Sequence, residues 1–301
     1  MRIATSQIHQ SAVTAMLEQQ TQLNHTQQQL STGKRMLTPA DDPAAAARIL
    51  SLNQSIDTTE QYQRNTDGAR SRLTLEESTL SGAGDILQRV RELAVQGNNG
   101  SRSAADRSAI AAEVRQLSSQ LQGLANTKDA SGDYMFAGFQ ANSQPFTDNG
   151  GGTIIYNGDQ GVKQVQIGPQ RFVEVGDSGA SVFMYLPASG GGQQDIFTTL
   201  NNFAAAMEAN VPSSATITDI DAGLDSILTT RAKIGARLNA LDSQTDINSG
   251  YVVQLKSALS SVEDLDYADA ISRFNQQMQA LQAAQSSYAK VQGLSLFNYI
   301  R

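Results

Sequence analysis

Cysteine and tryptophan are absent from this chain of 301 residues, histidine occurs twice and proline six times. Without cysteine there are no disulfides, thiolate metal sites or cysteine nucleophiles, and the redox compartment is left open. The two histidines, His9 and His25, fall on one predicted helix, where they cannot converge on a metal without a second chain. Aromatic residues make up only 6% against 40% hydrophobic residues in total, so the core is expected to be thin and aliphatic. Long, slender helices fit this composition better than a compact enzyme does. No apolar run reaches the length of a membrane span, so no membrane insertion is expected. The stretch from Met1 to Gln20 lacks the apolar core of a secretory signal, so any export is expected to bypass a cleaved Sec-type signal.

The formal charge is −7 and the pI is near 4.9. Arg64, Arg70, Arg72, Arg89 and Arg91 are scattered among Glu and Asp. Lacking a basic stripe with interleaved aromatics, the chain is expected not to bind nucleic acid. Asp41-Asp42 and Glu76-Glu77 place carboxylates side by side, as acid/base chemistry requires. A helix cap accounts for the first pair and ordinary solvation of a helix face for the second. The glycine runs at 150–152 and 190–192 lack the Lys-Ser/Thr of a phosphate loop. No Gly-x-Ser-x-Gly elbow with a downstream histidine occurs. The expectation is a protein that is not an enzyme and holds no cofactor or metal.

What the chain does have is helical punctuation. A helix is predicted from about Thr5 to Ser31, ended by Thr32-Gly33. After a break, Asp42 stands where it can N-cap a helix that begins at Pro43 and runs to about Gln96. Gly97–Ser101 is turn material, and Ser103 with Asp106 resembles a capping box. A second helix through Ile110, Val114, Leu117, Leu121 and Leu124 should pack back antiparallel on the first. Beyond Asn126 the texture changes to short alternating segments at Tyr134–Phe136, Thr153–Tyr156, Lys163–Ile167 and Phe172–Val175, separated by Gly, Asn and Asp. Helix resumes near Ile196 and again from about Ile220 to Val262, and the apolar phase slips at Asp266-Tyr267.

The predicted fold is therefore mainly α: paired terminal coiled-coil helices and a long helical bundle, with a small β-rich domain inserted mid-chain. The expected domains are an N-terminal assembly helix (1–38) pairing with a C-terminal one (266–301), bundle halves at 39–133 and 193–265, and the β-rich insertion at 134–192. Ile271, Phe274, Met278, Leu281, Gln285 and Tyr288 recur at spacings of three and four, as in a helix seam. Val13, Met16, Leu23 and Leu30 form a weaker stripe, diluted by Gln20 and Gln27. Val13, Met16, Leu23, Leu30, Ile271, Phe274, Met278, Leu281 and Tyr288 are thus the candidate assembly interface, with Asp42 and Pro43 as the helix cap. Burying so few side chains does not offset the conformational entropy of two long helices. Partners are therefore expected, and the terminal helices should be poorly ordered in the free monomer.

Ser31-Thr-Gly-Lys-Arg35 followed by Pro39-Ala-Asp-Asp-Pro-Ala-Ala-Ala-Ala47 resembles the N-terminal signature of the bacterial flagellin family. The ending, from Tyr267-Ala-Asp-Ala-Ile271 through Leu281–Gln285 to Val291–Phe297, resembles that family's C-terminal segment. Met1–Thr5, the run from Leu124 to Gly138, Pro145-Phe146, Arg231–Gly235 and Gln292–Phe297 resemble a hook-filament junction member more than a filament-forming one. Asn298–Arg301 lacks the Leu-Leu ending common in flagellins. The resemblance implies a secreted structural protein of the bacterial flagellum, serving motility, with an inner layer of paired terminal helices and an outward β domain. It implies passage through the flagellar type III export channel and an export chaperone that binds the C-terminal segment. The implied partners are hook-associated protein 1, flagellin and neighbouring copies in a ring; a short flagellin building the filament itself is the alternative.

Overall fold

The computed structural model describes residues 2–150 and 152–293, with the side chains of Gln7 and of residues from His9 to Lys290. The expectations that rest on Met1 and on residues from Leu294 to Arg301 lie outside the described residues. The elements are helices α1 (Arg2–Thr32), α2 (Pro43–Gly97) and α3 (Ala104–Ala125), then strands β1 (Phe146–Asp148), β2 (Ile154–Tyr156), β3 (Gln164–Gly168) and β4 (Arg171–Glu174). A five-residue π-helical turn (Ala180–Met184) precedes β5 (Leu186–Pro187) and β6 (Gln193–Gln194). Helices α4 (Ile196–Glu208), α5 (Ala215–Glu263) and α6 (Tyr267–Gly293) complete the chain. The result is mainly α with small antiparallel sheets in the middle. Two compact units divide it, residues 1–58 with 251–301 and residues 59–250.

In the first unit α1 packs on α6, and the pair is antiparallel. The His9 ring stands edge-on to Tyr288 with centroids 5.7 Å apart. At the other end Arg35 N donates to Glu263 O at 2.8 Å and Leu265 N to Gly33 O at 3.0 Å. Lys34 adds an ion pair with Glu263. Gly33 sits at φ +71°, and a Cβ there would lie 2.8 Å from the Tyr267 hydroxyl, so glycine both ends α1 and lets the α5–α6 joint approach. Asp42 Oδ1 accepts from Ala45 N at 3.0 Å. Asp266 Oδ1 accepts from Ala268 N and Asp269 N at 2.9 and 3.2 Å, and thereby starts α6.

The second unit holds the main core. Along α2 the buried positions are Thr66, Ala69, Leu73, Glu76, Leu80, Ala83, Leu87, Val90 and Ala94, an unbroken alternation of three and four. On α5, Ile220, Ile227, Ile234 and Leu241 repeat every seven residues and are equally buried. Helix α3 runs back along α2: a Cβ on Gly82 would meet Leu124 at 3.3 Å, and one on Gly97 would meet Ile110 at 3.7 Å. Its start carries the reciprocal box, Asp106 N to Ser103 Oγ at 3.2 Å and Ser103 N to Asp106 Oδ2 at 3.1 Å.

The inserted region is three separate two-stranded antiparallel sheets, β1–β2, β3–β4 and β5–β6. Two-stranded sheets are marginal alone, and here they rest on an aromatic cluster. Phe146 lies 5.6 Å from Phe183 and 5.4 Å from Phe197, and Phe136 lies 5.4 Å from Phe183. Tyr134–Phe136, expected as a strand, is instead a plug. Met135 and Phe136 are both buried, so the alternation of a half-buried strand is lost, and Met135 N donates to Thr127 O. Glu76 also departs from expectation: it is wholly buried, because a segment far along the chain covers it.

Candidate assembly surface

Helix spacing puts a half-buried row on each member of the terminal pair. On α1 the row is His9, Ala12, Met16, Gln19, Leu23, Thr26 and Leu30; on α6 it is Ala270, Phe274, Gln277, Leu281, Ala284 and Tyr288. Both rows alternate three and four, as facing coiled-coil seams do. Of the candidate interface residues, Met16, Leu23, Leu30, Phe274, Leu281 and Tyr288 are in these rows. Val13, Ile271 and Met278 are not. They remain 38%, 49% and 39% exposed, alongside Leu17 at 59%. Sequence reasoning passed over Ala12, Gln19, Thr26, Gln277 and Ala284 because it followed the larger apolar side chains. The common heptad phase of the two helices is the signal that identifies them.

The seam is polar as well as thin. The Oε1 atoms of Gln29 and Gln277 are buried without a hydrogen-bond partner, and each such group costs about 1–3 kcal/mol. Gln29 Nε2 is used, donating to Arg35 O at 2.5 Å. Near the break after α1, Asp41 accepts from Thr38 N and Leu37 N, both at 2.9 Å. Those backbone donors, Thr38 first, hold its carboxyl below the usual range. His25 Nε2 lies 3.7 Å from Asp41.

Among the described residues no group of three His, Cys, Asp or Glu could hold a metal ion, and no helix is long and apolar enough to cross a membrane. In the second unit a half-open groove of about 670 Å³ is lined by Leu75, Val165 and Phe139. Its charged groups are already paired, Arg72 with Asp129 and Lys163 with Asp133. What the terminal pair offers is an exposed apolar flank on a weakly closed seam, a surface suited to packing.

The bacterial flagellin N-terminal helical region matches residues 3–141 and the bacterial flagellin C-terminal helical region matches residues 217–300. The flagellar hook-associated protein 3 of Escherichia coli is 31% identical, with 99% of each chain covered. That of Salmonella typhimurium is 30% identical over the whole of both. Among solved structures, flagellar hook associated protein-3 from Legionella pneumophila shares the fold, with a TM-score of 0.66 at 24% identity, covering 71% of this chain and 98% of that one. With both terminal regions matched in order and full-length relatives at this identity, the chain belongs to the bacterial flagellin family, a family of structural flagellar proteins.

Proposed function

We propose that this chain is a structural adaptor of the bacterial flagellum, seated at the hook-filament junction and linking hook-associated protein 1 to flagellin through its terminal helices. One observation carries the reading: the α1–α6 pair has closed its own seam yet keeps Val13, Leu17, Ile271 and Met278 exposed on its flanks. The seam residues Met16, Leu23, Leu30, Phe274, Leu281 and Tyr288 then hold the pair together, while the flank meets neighbouring subunits. Heterologous contacts repeated around an axis would let a ring of copies template the next layer. The full-length similarity to hook-associated protein 3 supports the junction over the filament itself. Export through the flagellar type III channel, with a chaperone on the C-terminal segment, belongs to the same reading and suits a pair that is marginal alone.

The test is assembly of the purified chain with hook-associated protein 1 and with flagellin. The adaptor reading expects no polymer from the chain alone and a bridge between the two partners. Long homopolymers after seeding would overturn it in favour of a short flagellin that builds the filament.

A further inference from the structure

Glu76 occupies a seam position on α2 between Leu73 and Leu80, where the heptad pattern calls for an apolar side chain, and it is 0% exposed. Its Oε1 accepts from Asp177 N at 3.0 Å. Its Oε2 is buried with no partner. The segment it holds, residues 174–177, joins β4 to the π-helical turn and so anchors the β-rich region on the helices.

The cations around Glu76 are already committed to other carboxylates. Arg72, one turn earlier on α2, donates from Nε to Val175 O at 2.8 Å and is paired with Asp129. From α5, Arg237 reaches Asp177 through Nη1 at 2.6 Å and Nη2 at 3.2 Å, and Glu174 through Nη2 at 2.5 Å. The two guanidiniums, Arg72 and Arg237, thus face the carboxylates of Asp129, Asp177 and Glu174. An ionised Glu76 would add another negative charge, desolvated and beside Asp177, with no cation of its own.

We propose that Glu76 is a proton-operated latch: as the neutral acid it ties the 174–177 segment to α2, and when ionised it repels Asp177 and loosens the seating of the β-rich region. Burial is the main cause that pushes Glu76 up to about 8, and Asp177 pushes the same way, while the Asp177 amide and then Arg237 and Arg72 oppose them. The folded chain therefore keeps a proton that the unfolded chain releases near the ordinary value of 4.5. The stabilisation that proton provides is complete below that value, falls as pH rises above it, and is lost once pH passes about 8. Within the folded state the segment is tied below that pH and loose above it.

The decisive experiment is a carbon-13 titration of the glutamate carboxyls in the full-length chain, together with amide exchange across residues 174–180 corrected for base catalysis. One carboxyl resonance should titrate near pH 8, and it should vanish in Glu76→Gln. Exchange of the segment should rise about tenfold per pH unit as the midpoint is approached from below and level off above it in the native chain, and stay level throughout in Glu76→Gln. A Glu76 carboxyl that titrates in the ordinary range overturns the proposal, as does a segment whose exchange does not change across its titration. The wild-type titration and exchange decide the matter even if the substituted chain does not fold.

Discussion

Arg107 is drawn into the core of the second unit by acceptors at the end of α2 and beyond it. Its Nε donates to Gly97 O at 3.0 Å and Nη2 to Asn99 O at 3.1 Å, and Nη1 bonds the side chain of Asn210. It thus closes the C-terminal end of α2, where unpaired carbonyls and the helix dipole favour a cation. Replacing it by Met should lower stability by about 2 kcal/mol, the cost of leaving the buried Gly97 carbonyl unpaired. Urea unfolding checks this, and a midpoint equal to the wild type's would rule the role out. Asp42→Ala should cost about 1 kcal/mol through loss of the α2 cap, readable as faster amide exchange at the start of that helix. The cap is visible in the sequence because Asp42-Pro43 acts on amides within three residues. Nothing near Arg107 in the sequence announces Asn210, which is brought to it by the packing of α4 on α3.

At the scale of elements, α1 and α6 differ from α2 and α5 in what they bury. The seam of α2 through the second unit is Leu, Val and Ala with few interruptions, whereas the terminal seam alternates Met, Leu and Phe with Gln, Thr and Ala. Amide protection in dilute solution should therefore be lower along α1 and α6 than along α2. Protection of the terminal pair equal to that of α2 would contradict this. Gln277→Leu removes a buried oxygen that has no partner and should stabilise the pair by about 1 kcal/mol, seen as slower exchange along α6. The spacing of three and four is legible in the sequence of both helices, but the phase at which they face each other is not. Val13 and Leu17 on one helix, Ile271 and Met278 on the other, are large and apolar and lie outside the half-buried rows. A stripe read by size alone merges the row that closes on its partner helix with the row left exposed.

For the whole molecule, the division into two units has a direct consequence. The second unit, residues 59–250, contains the continuous core from Leu73 to Leu241 with the aromatic cluster of the β-rich region. Removing residues from Ile271 onward should leave its unfolding transition in place while abolishing assembly into the flagellum. Near-normal motility in cells carrying only the truncated chain would refute the assembly role of the terminal helices. The sequence by itself determined where α1 ends and where α2 and α3 begin, because caps and glycines act over a few residues, whereas the uncapped start of α5 lies at Ala215, five residues before the Ile220 that apolar spacing indicates. It also determined the family, because both terminal signatures are local strings. Only the tertiary structure decided which apolar residues of the terminal helices close their seam and which stay exposed, since that depends on the phase of a partner helix over two hundred residues away in the chain. It alone decided that Glu76 is buried rather than solvated: the 174–177 segment that covers it lies about a hundred residues downstream, and burial is set by what folds over a residue, not by its neighbours in sequence.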